Sequence, residues 1–382
     1  MSIRPTAATF PVPGPVRLRS GESLPSVDVA YETYGELNDA ADNAVLVFHA
    51  LTGSQHAAGR SPEAPPGVER WTDEMQAGWW DAFIRPGGAI DTNELFVVCA
   101  NVLGGCYGST GPSSIDPRTG VRYGRSFPEV TFSDMVDVQT RLLDHLGIGR
   151  LRAAIGGSVG GFMAMSLATR YPERVDTVIP IASGLGVTEL QTLHNFEQIA
   201  AIVTDPGFAD GDYYGGAGPV DGLRLARMIG HKTFVSLDAL AERARSEVRA
   251  DDGPSGYGLT NNLESYMWHQ GSKFVERFDA NSYLRIMRAW QTVDLCAEAG
   301  VGSFDELFEG TSDQRYMVFS IDSDVCFYPE EQRRLVAAVR AAGMAVRHIT
   351  VHSEKGHDSF LLEPELFAPH LRDTLLSGWH GR

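Results

Sequence analysis

The feature that most restricts how this chain can fold is the pentapeptide Gly156-Gly157-Ser158-Val159-Gly160. It joins an apolar run, LRAAIGG, to a segment, VGGFMAMSLATRY, whose apolar positions suit a helix and which ends before Pro172. One serine among small residues at such a junction is the pattern of a sharp strand-to-helix turn. The serine takes strained dihedrals there, so its neighbours must be small. Its oxygen then projects from the end of the strand, at the positive end of the helix. A plain glycine turn is the alternative, and the correct flanks on both sides weigh against it.

Similar alternation runs along the rest of the chain. NAVLVFHAL and ELFVVCANV are continuous apolar runs bounded by polar turns, as in strands covered on both faces. SVDVAYETYG alternates and predicts a half-buried antiparallel strand. MVDVQTRLLDHL has helical spacing and is stopped by Gly147. VDTVIPIAS, YMVFSID and AVRHITVH read as further strands. From about Gly184 to about Gly302 strand patterns vanish. TELQTLHNFEQIAAIV and DANSYLRIMRAWQTVDLCAEA read there as helices, with glycine-rich loops in DGDYYGGAGPVDG and RADDGPSGYG. The expected organisation is a mostly parallel sheet covered by helices over residues 1–184 and 303–382, interrupted by a helical lid over 185–302.

Composition narrows the partners. The chain has 382 residues and a formal net charge of −17, which repels phosphate backbones and anionic lipid heads. Nucleic acid and membrane are therefore poor partners, although the charge can equally reflect solubility. No apolar run of about eighteen residues is present, and MSIRPTAATFPVPGP lacks the pattern of a secretory signal. A cytoplasmic location is expected. Cys99, Cys106, Cys296 and Cys326 form no CxxC pair and suggest neither a metal site nor a disulfide framework.

A nucleophilic serine needs a base, and a serine on such a turn is the hallmark of the α/β-hydrolase fold, in which serine, acid and histidine follow in that order. His357, in SEKGHDSFL, lies in a loop after the strand AVRHITVH, where the fold supplies its histidine. His348 and His352 belong to or flank that strand and read as structural, whereas His231 and His269 fall in the lid and could line the pocket. For the acid, the turn after YMVFSI offers both Asp322 and Asp324, and position alone does not separate them. An oxyanion hole needs two backbone N–H groups. Val159 supplies one, and Leu51 in HALTG is the natural second donor, with Gly53 allowing a tight turn.

With these residues assembled, the sequence resembles the homoserine O-acetyltransferase family over nearly its whole length. The markers are HALTG with His56 and Gly59 following, NVLGGCYGSTGPSSIDPRTG, GGSVGG, ARMIGHKTF, KFVERFDANSYL, SDVCFYPEEQ and GHDSFL. The resemblance implies a ping-pong reaction in which Ser158 takes the acyl group from an acyl-CoA and an amino-acid hydroxyl then attacks the acyl-enzyme. It favours Asp324 over Asp322 as the acid. It assigns amino-acid binding to Arg227 and Asp358, an Arg–carboxylate and an Asp–ammonium contact. It implies a homodimer joined through the lid, no metal, and no cofactor beyond acetyl-CoA as co-substrate.

The sequence departs from the family pattern at three positions. Phe234 replaces a tyrosine seven residues after the arginine, Ser54 replaces an acidic residue after HALTG, and Val159 replaces a methionine. Cys326 stands two residues after the acid, where acetyl-using relatives tend to carry Leu and succinyl-using ones Arg. Without that cation a succinyl carboxylate lacks a partner, so acetyl is favoured. Phe234, Ser54 and Cys326 are the candidate specificity residues. The expected function is acetyl transfer to L-homoserine, a step toward methionine. Its rivals are a serine or succinyl-CoA-dependent acyltransferase, an esterase, and a non-catalytic binding protein of the same fold.

Overall fold

The apolar runs form an eight-stranded sheet in a computed structural model, which describes residues 5–246, 253–311 and 313–377. Its strands are β1 (Thr6–Val12), β2 (Val27–Tyr34), β3 (Ala44–Phe48), β4 (Phe96–Ala100), β5 (Leu151–Gly157), β6 (Val175–Ile181), β7 (Arg315–Ile321) and β8 (Ala345–Val351). Their spatial order is 1-2-4-3-5-6-7-8. β2 runs antiparallel to both β1 and β4, and every pairing from β4 to β8 is parallel.

Parallel neighbours need long crossovers, and these carry the helices: α1 (Phe132–His145), α2 (Val159–Arg170), α3 (Glu189–Val203), α4 (Val220–Phe234), α5 (Leu237–Ser246), α6 (Asn262–Arg277), α7 (Ala280–Gln291), α8 (Pro329–Ala341) and α9 (Pro364–Arg372). Alternate side chains of each strand enter separate cores. Leu46, Phe48, Ala154 and Val318 pack with Phe132, Phe162 and Leu335 from α1, α2 and α8. Val45, Val47, Ile155 and Phe319 pack with Trp80, Phe83 and Phe367 on the other face. This double cover explains why the central strands read as unbroken apolar runs.

α1 begins three residues before the segment MVDVQTRLLDHL. Thr131 caps it by accepting the Asp134 N–H at 3.2 Å, while the Asp134 carboxylate accepts the Thr131 N–H at 2.8 Å. Gly147, at φ 75°, lets the chain leave the helix. β2 differs from the expected half-buried strand, because both its faces are covered from Ala30 to Tyr34. Glu32 turns under the segment after β3, where its carboxylate meets His56 Nδ1 at 2.9 Å and Tyr34 OH at 2.6 Å. An acidic residue in an alternating pattern reads as solvent-facing, and only these partners make its burial tolerable.

Between β6 and β7 the described elements are helical apart from a bridge between Gly186 and Asp294. The run from Asp279 breaks at Thr292 and resumes as a short helix at Leu295–Ala299. Of the glycine-rich loops, residues 249–252 in RADDGPSGYG lie outside the described residues. α3 is inverted relative to an ordinary surface helix. Gln191, Asn195 and Gln198 are buried, while Leu190, Leu193, Phe196 and Val203 are exposed. Among the described residues no helix is long and apolar enough to cross a membrane.

The strand-to-helix turn tolerates no extra atom at its base. A Cβ on Gly156 would sit 2.1 Å from the Gly160 carbonyl oxygen, whereas one on Gly149 would meet nothing within 4 Å. Gly156→Ala is therefore expected to cost more than about 3 kcal/mol or to prevent folding, and Gly149→Ala to stay within about 0.5 kcal/mol of the parent. Urea unfolding of the soluble variants checks both, and equal midpoints for the two would contradict the packing described.

Candidate active site

All the loops that carry the predicted site residues leave the carboxyl ends of parallel strands, so the fold delivers them to one edge of the sheet. Ser158 follows β5 at φ 57° and ψ −130°, a conformation that non-glycine residues seldom adopt. Its N–H donates to the Ile181 carbonyl at 2.9 Å, which ties the strained residue to β6. α2 starts at Val159, whose N–H belongs to the helix's unpaired first turn.

His357 lies in a short turn after β8 and is buried. Its Nδ1 is 2.7 Å from Asp324 Oδ2. The other Asp324 oxygen accepts the N–H groups of Cys326 and Phe327 at 2.8 and 2.9 Å, so this carboxylate is held at both ends. Asp322 lies elsewhere, 2.7 Å from His352 Nδ1, and it accepts the Ser353 N–H at 3.0 Å. Burial opposes charging the His357 ring, but the Asp324 carboxylate, with Asp358 and Glu331 behind it, outweighs burial and raises its pKa. Phe327 stacks on the ring at 5.5 Å and Phe360 meets it edge-on. The Nε2 atom is buried with no hydrogen-bond partner among the described residues.

Ser158 and His357 share one cavity with Leu51, Trp79, Arg227, Phe234, Arg277, Trp290, Asp358 and Phe360. The Leu51 N–H has no protein acceptor among the described residues. Gly53 is required by close approach, since a Cβ there would be 2.8 Å from His49 Cβ, and its φ is not positive. Arg227, on α4, makes no salt bridge among the described residues; its guanidinium lies over Phe234 and Phe274 at 5.4 and 5.0 Å. Burial, then the neighbouring Arg277, lowers its pKa. Burial raises that of Asp358, against the pull of His357 and Arg227. The cavity thus presents a cation and a carboxylate beside the serine.

The remaining predicted residues fall less centrally. Phe234 lines the cavity, but Cys326 lines a smaller pocket behind Phe234 and Trp290. Ser54 is buried, with its hydroxyl accepting the His56 N–H and its carbonyl accepting Trp79 Nε1–H. The lid histidines do not reach the cavity: His231 is bonded to Tyr266 OH at 3.0 Å, and His269 is not among the lining residues. His348 meets Ser320 Oγ at 2.7 Å within the sheet.

Sequence reasoning missed Arg277, the last residue of α6. Its Nη1 donates to the Thr52 carbonyl at 3.1 Å and to Tyr107 OH at 2.8 Å. In KFVERFDANSYL it is a helix-ending arginine before an apolar residue and the Asp279 cap of the next helix. Nothing local distinguishes it from a surface charge.

Because the His357 pKa is raised on folding, its ring should titrate above the ordinary histidine value of about 6.5. Asp324→Asn should bring the midpoint down in an NMR titration; an unchanged midpoint would mean that Asp324 is not the source. The stability contributed by this shift is complete below about pH 6.5 and is lost as pH rises through the folded midpoint. The variant should lose that part of the pH dependence.

The comparisons with known proteins agree with this architecture. The alpha/beta hydrolase fold family matches residues 43–364. A homoserine O-acetyltransferase of Symbiobacterium thermophilum is 44% identical over 364 residues, covering 94% of this chain and 92% of that protein. The crystal structure of homoserine O-acetyltransferase from Bacillus anthracis superposes with a TM-score of 0.85 at 25% identity, covering 98% of both chains. That of esterase E22 superposes with a TM-score of 0.86, also at 25% identity, covering 97% of this chain and 100% of that one. The chain belongs to the homoserine O-acetyltransferase family of acyltransferases, within the alpha/beta hydrolase fold.

Proposed function

We propose that this enzyme transfers an acetyl group from acetyl-CoA to the hydroxyl of L-homoserine through an acyl-Ser158 intermediate, a step toward methionine. The observation that carries the reading is the unpaired Arg227 guanidinium and the Asp358 carboxylate in the cavity that holds Ser158 and His357. A largely desolvated cation with no salt-bridge partner among the described residues is costly. The α-carboxylate of an amino acid offsets that cost, and its ammonium group suits Asp358. The names of the sequence relatives support the same acceptor and the same acyl group.

In the first half-reaction His357 Nε2 takes the Ser158 proton as Oγ attacks the thioester carbonyl carbon. The oxyanion is held by the N–H groups of Leu51 and Val159. Collapse breaks the carbon–sulfur bond, and CoA leaves with the proton from His357. In the second half-reaction the ring takes the proton of the homoserine hydroxyl, whose oxygen attacks the acyl carbon. Ser158 Oγ leaves and regains its proton. Asp324 holds the ring in the required tautomer and stabilises its charged form. The reading places the enzyme in the cytoplasm with its acyl-CoA donor.

Ester hydrolysis is a second reading, favoured by the structural likeness to esterase E22. Trp79, Phe234, Trp290, Phe360 and Leu361 give the cavity apolar walls that disfavour water as the acceptor, and this supports transfer. For the donor, no arginine stands at Cys326, which supports acetyl over succinyl.

Release of CoA by purified protein, crossing acetyl-CoA and succinyl-CoA with homoserine and serine, tests the assignment. Fast release is expected with acetyl-CoA and homoserine alone; a preference for serine, succinyl-CoA or water would overturn the corresponding part. Ser158→Ala should reduce turnover on the order of 10⁶-fold. Arg227→Ala should raise KM for the amino acid and spare acyl-enzyme formation, and equal damage to both steps would contradict its role.

We also propose a homodimer joined through the lid. The support is the inverted α3, whose exposed Leu190, Leu193, Phe196 and Val203 form a stripe, with Phe196 at 63% and Leu193 at 60% exposure. Burying that stripe against a second copy removes the apolar surface from water. Sedimentation should show a dimer for the parent and a monomer for Phe196→Asp. A monomeric parent would dismiss the proposal.

A further inference from the structure

We infer that His49 is a positioning residue for the oxyanion hole, its imidazole locked in one tautomer so that it turns the Ala50–Leu51 peptide and aims the Leu51 N–H into the Ser158 cavity. The inference rests on the oxyanion role proposed above for Leu51.

His49 is the first residue after β3, and its ring is buried. On one side, Nε2 lies 3.3 Å from the backbone nitrogen of Val102. A backbone N–H can only donate, so Nε2 accepts and the ring proton sits on Nδ1. The side-chain amide of Asn101 reinforces this. Its Oδ1 accepts the Tyr107 N–H at 3.3 Å, which leaves Nδ2 to face His49 Nε2 at 3.3 Å as a second donor.

On the other side, Nδ1 lies 2.8 Å from the Ala50 carbonyl oxygen and donates to it. The same oxygen accepts the Gly53 N–H at 3.0 Å. In a planar trans peptide the carbonyl and the following N–H point in opposite directions. With the Ala50 oxygen drawn toward His49 and Gly53, the Leu51 N–H must point away from both. It meets no protein acceptor among the described residues, and Leu51 lines the cavity of Ser158.

The surroundings keep the ring in this state. Val102 follows β4, the sheet neighbour of β3, so the acceptor side is anchored to the sheet. Burial pushes the His49 pKa down to about 4. The ring therefore stays neutral until well into acid, where protonating Nε2 would set a proton against the Val102 N–H. The loop rests against the imidazole, since a Cβ on Gly53 would be 3.2 Å from His49 Cγ and Nδ1. Arg277 fixes the Thr52 carbonyl, two residues after Ala50, from the lid at 3.1 Å.

The direct test needs no variant. Nitrogen-15 NMR of histidine-labelled protein should show His49 as the neutral Nδ1–H tautomer from about pH 5.5 to 8. The Nε2–H tautomer, or titration within that range, would overturn the inference. The second test compares His49→Asn with His49→Leu, two side chains of one shape of which the asparagine keeps an N–H near the Nδ1 position. With p-nitrophenyl acetate, His49→Leu should lower the kcat of acyl-enzyme formation about 100-fold, with KM within about threefold, and His49→Asn should regain at least about tenfold of the loss. Equal rates for the two folded variants, or a loss confined to KM, would refute it. If either variant does not fold, the tautomer measurement decides alone. Absence of any acyl adduct on parent Ser158 would defeat the oxyanion reading itself, whereas acylation with His49 in the other tautomer would defeat this inference only.

Discussion

The strained backbone of Ser158 is the constraint around which the other features are arranged. Its φ of 57° and ψ of −130° persist because the alternatives are blocked. The strand behind it is tied to β6, and a Cβ on Gly160 would lie 2.5 Å from the Phe48 carbonyl oxygen. That close approach presses the first turn of α2 against the end of β3, and it brings the loop from His49 to Gly53 beside the serine. The acid follows β7 and the histidine follows β8, so parallel pairing sets both at the same edge. A serine held in an ordinary conformation would need none of these glycines, and it would not face that edge.

Electrostatics then separates the groups that are complete from those that are not. Asp324 has both oxygens engaged, and the charge it keeps raises the His357 pKa. Glu331 lies behind them, where burial pushes its pKa up to about 7. Arg277 is half-buried, and two oxygens accept from it. Arg227 has only aromatic faces beneath it. Within one cavity, the unfinished partners are therefore a cation, an imidazole edge and an amide N–H. Among the described residues none of the three has a hydrogen-bonding or ionic partner.

Legibility in the sequence follows the range of the interaction involved. The elbow, the strand runs and the order of serine, acid and histidine depend on neighbours in the chain, and they could be read. The choice between Asp322 and Asp324 was closed by resemblance, because both sit in one turn; in the structure Asp324 contacts His357 and Asp322 contacts His352. Glu32, Arg277 and the inverted face of α3 could not be read at all. Each depends on a partner at long range: His56 for Glu32, Thr52 and Tyr107 for Arg277, and Cys326 and Tyr283 for the buried amides of α3. Local pattern assigns polar residues to solvent, and it fails where distant groups satisfy them.

The likeness to both an esterase and an acetyltransferase locates what distinguishes the two chemistries. Serine, histidine, acid and oxyanion donors serve either reaction, so the core of the fold does not choose between them. In the proposed mechanism the choice falls to whatever reaches the acyl-enzyme second. In this chain the groups that could favour an amino acid over water come largely from the lid, namely Arg227 and Phe234 on α4 and Trp290 on α7. A lid carrying an unpaired cation gains more from an anionic acceptor than from water, and its aromatic walls lose less when that acceptor displaces solvent. Under the proposed mechanism, selectivity for transfer is a property of the inserted helices acting on chemistry that the sheet provides.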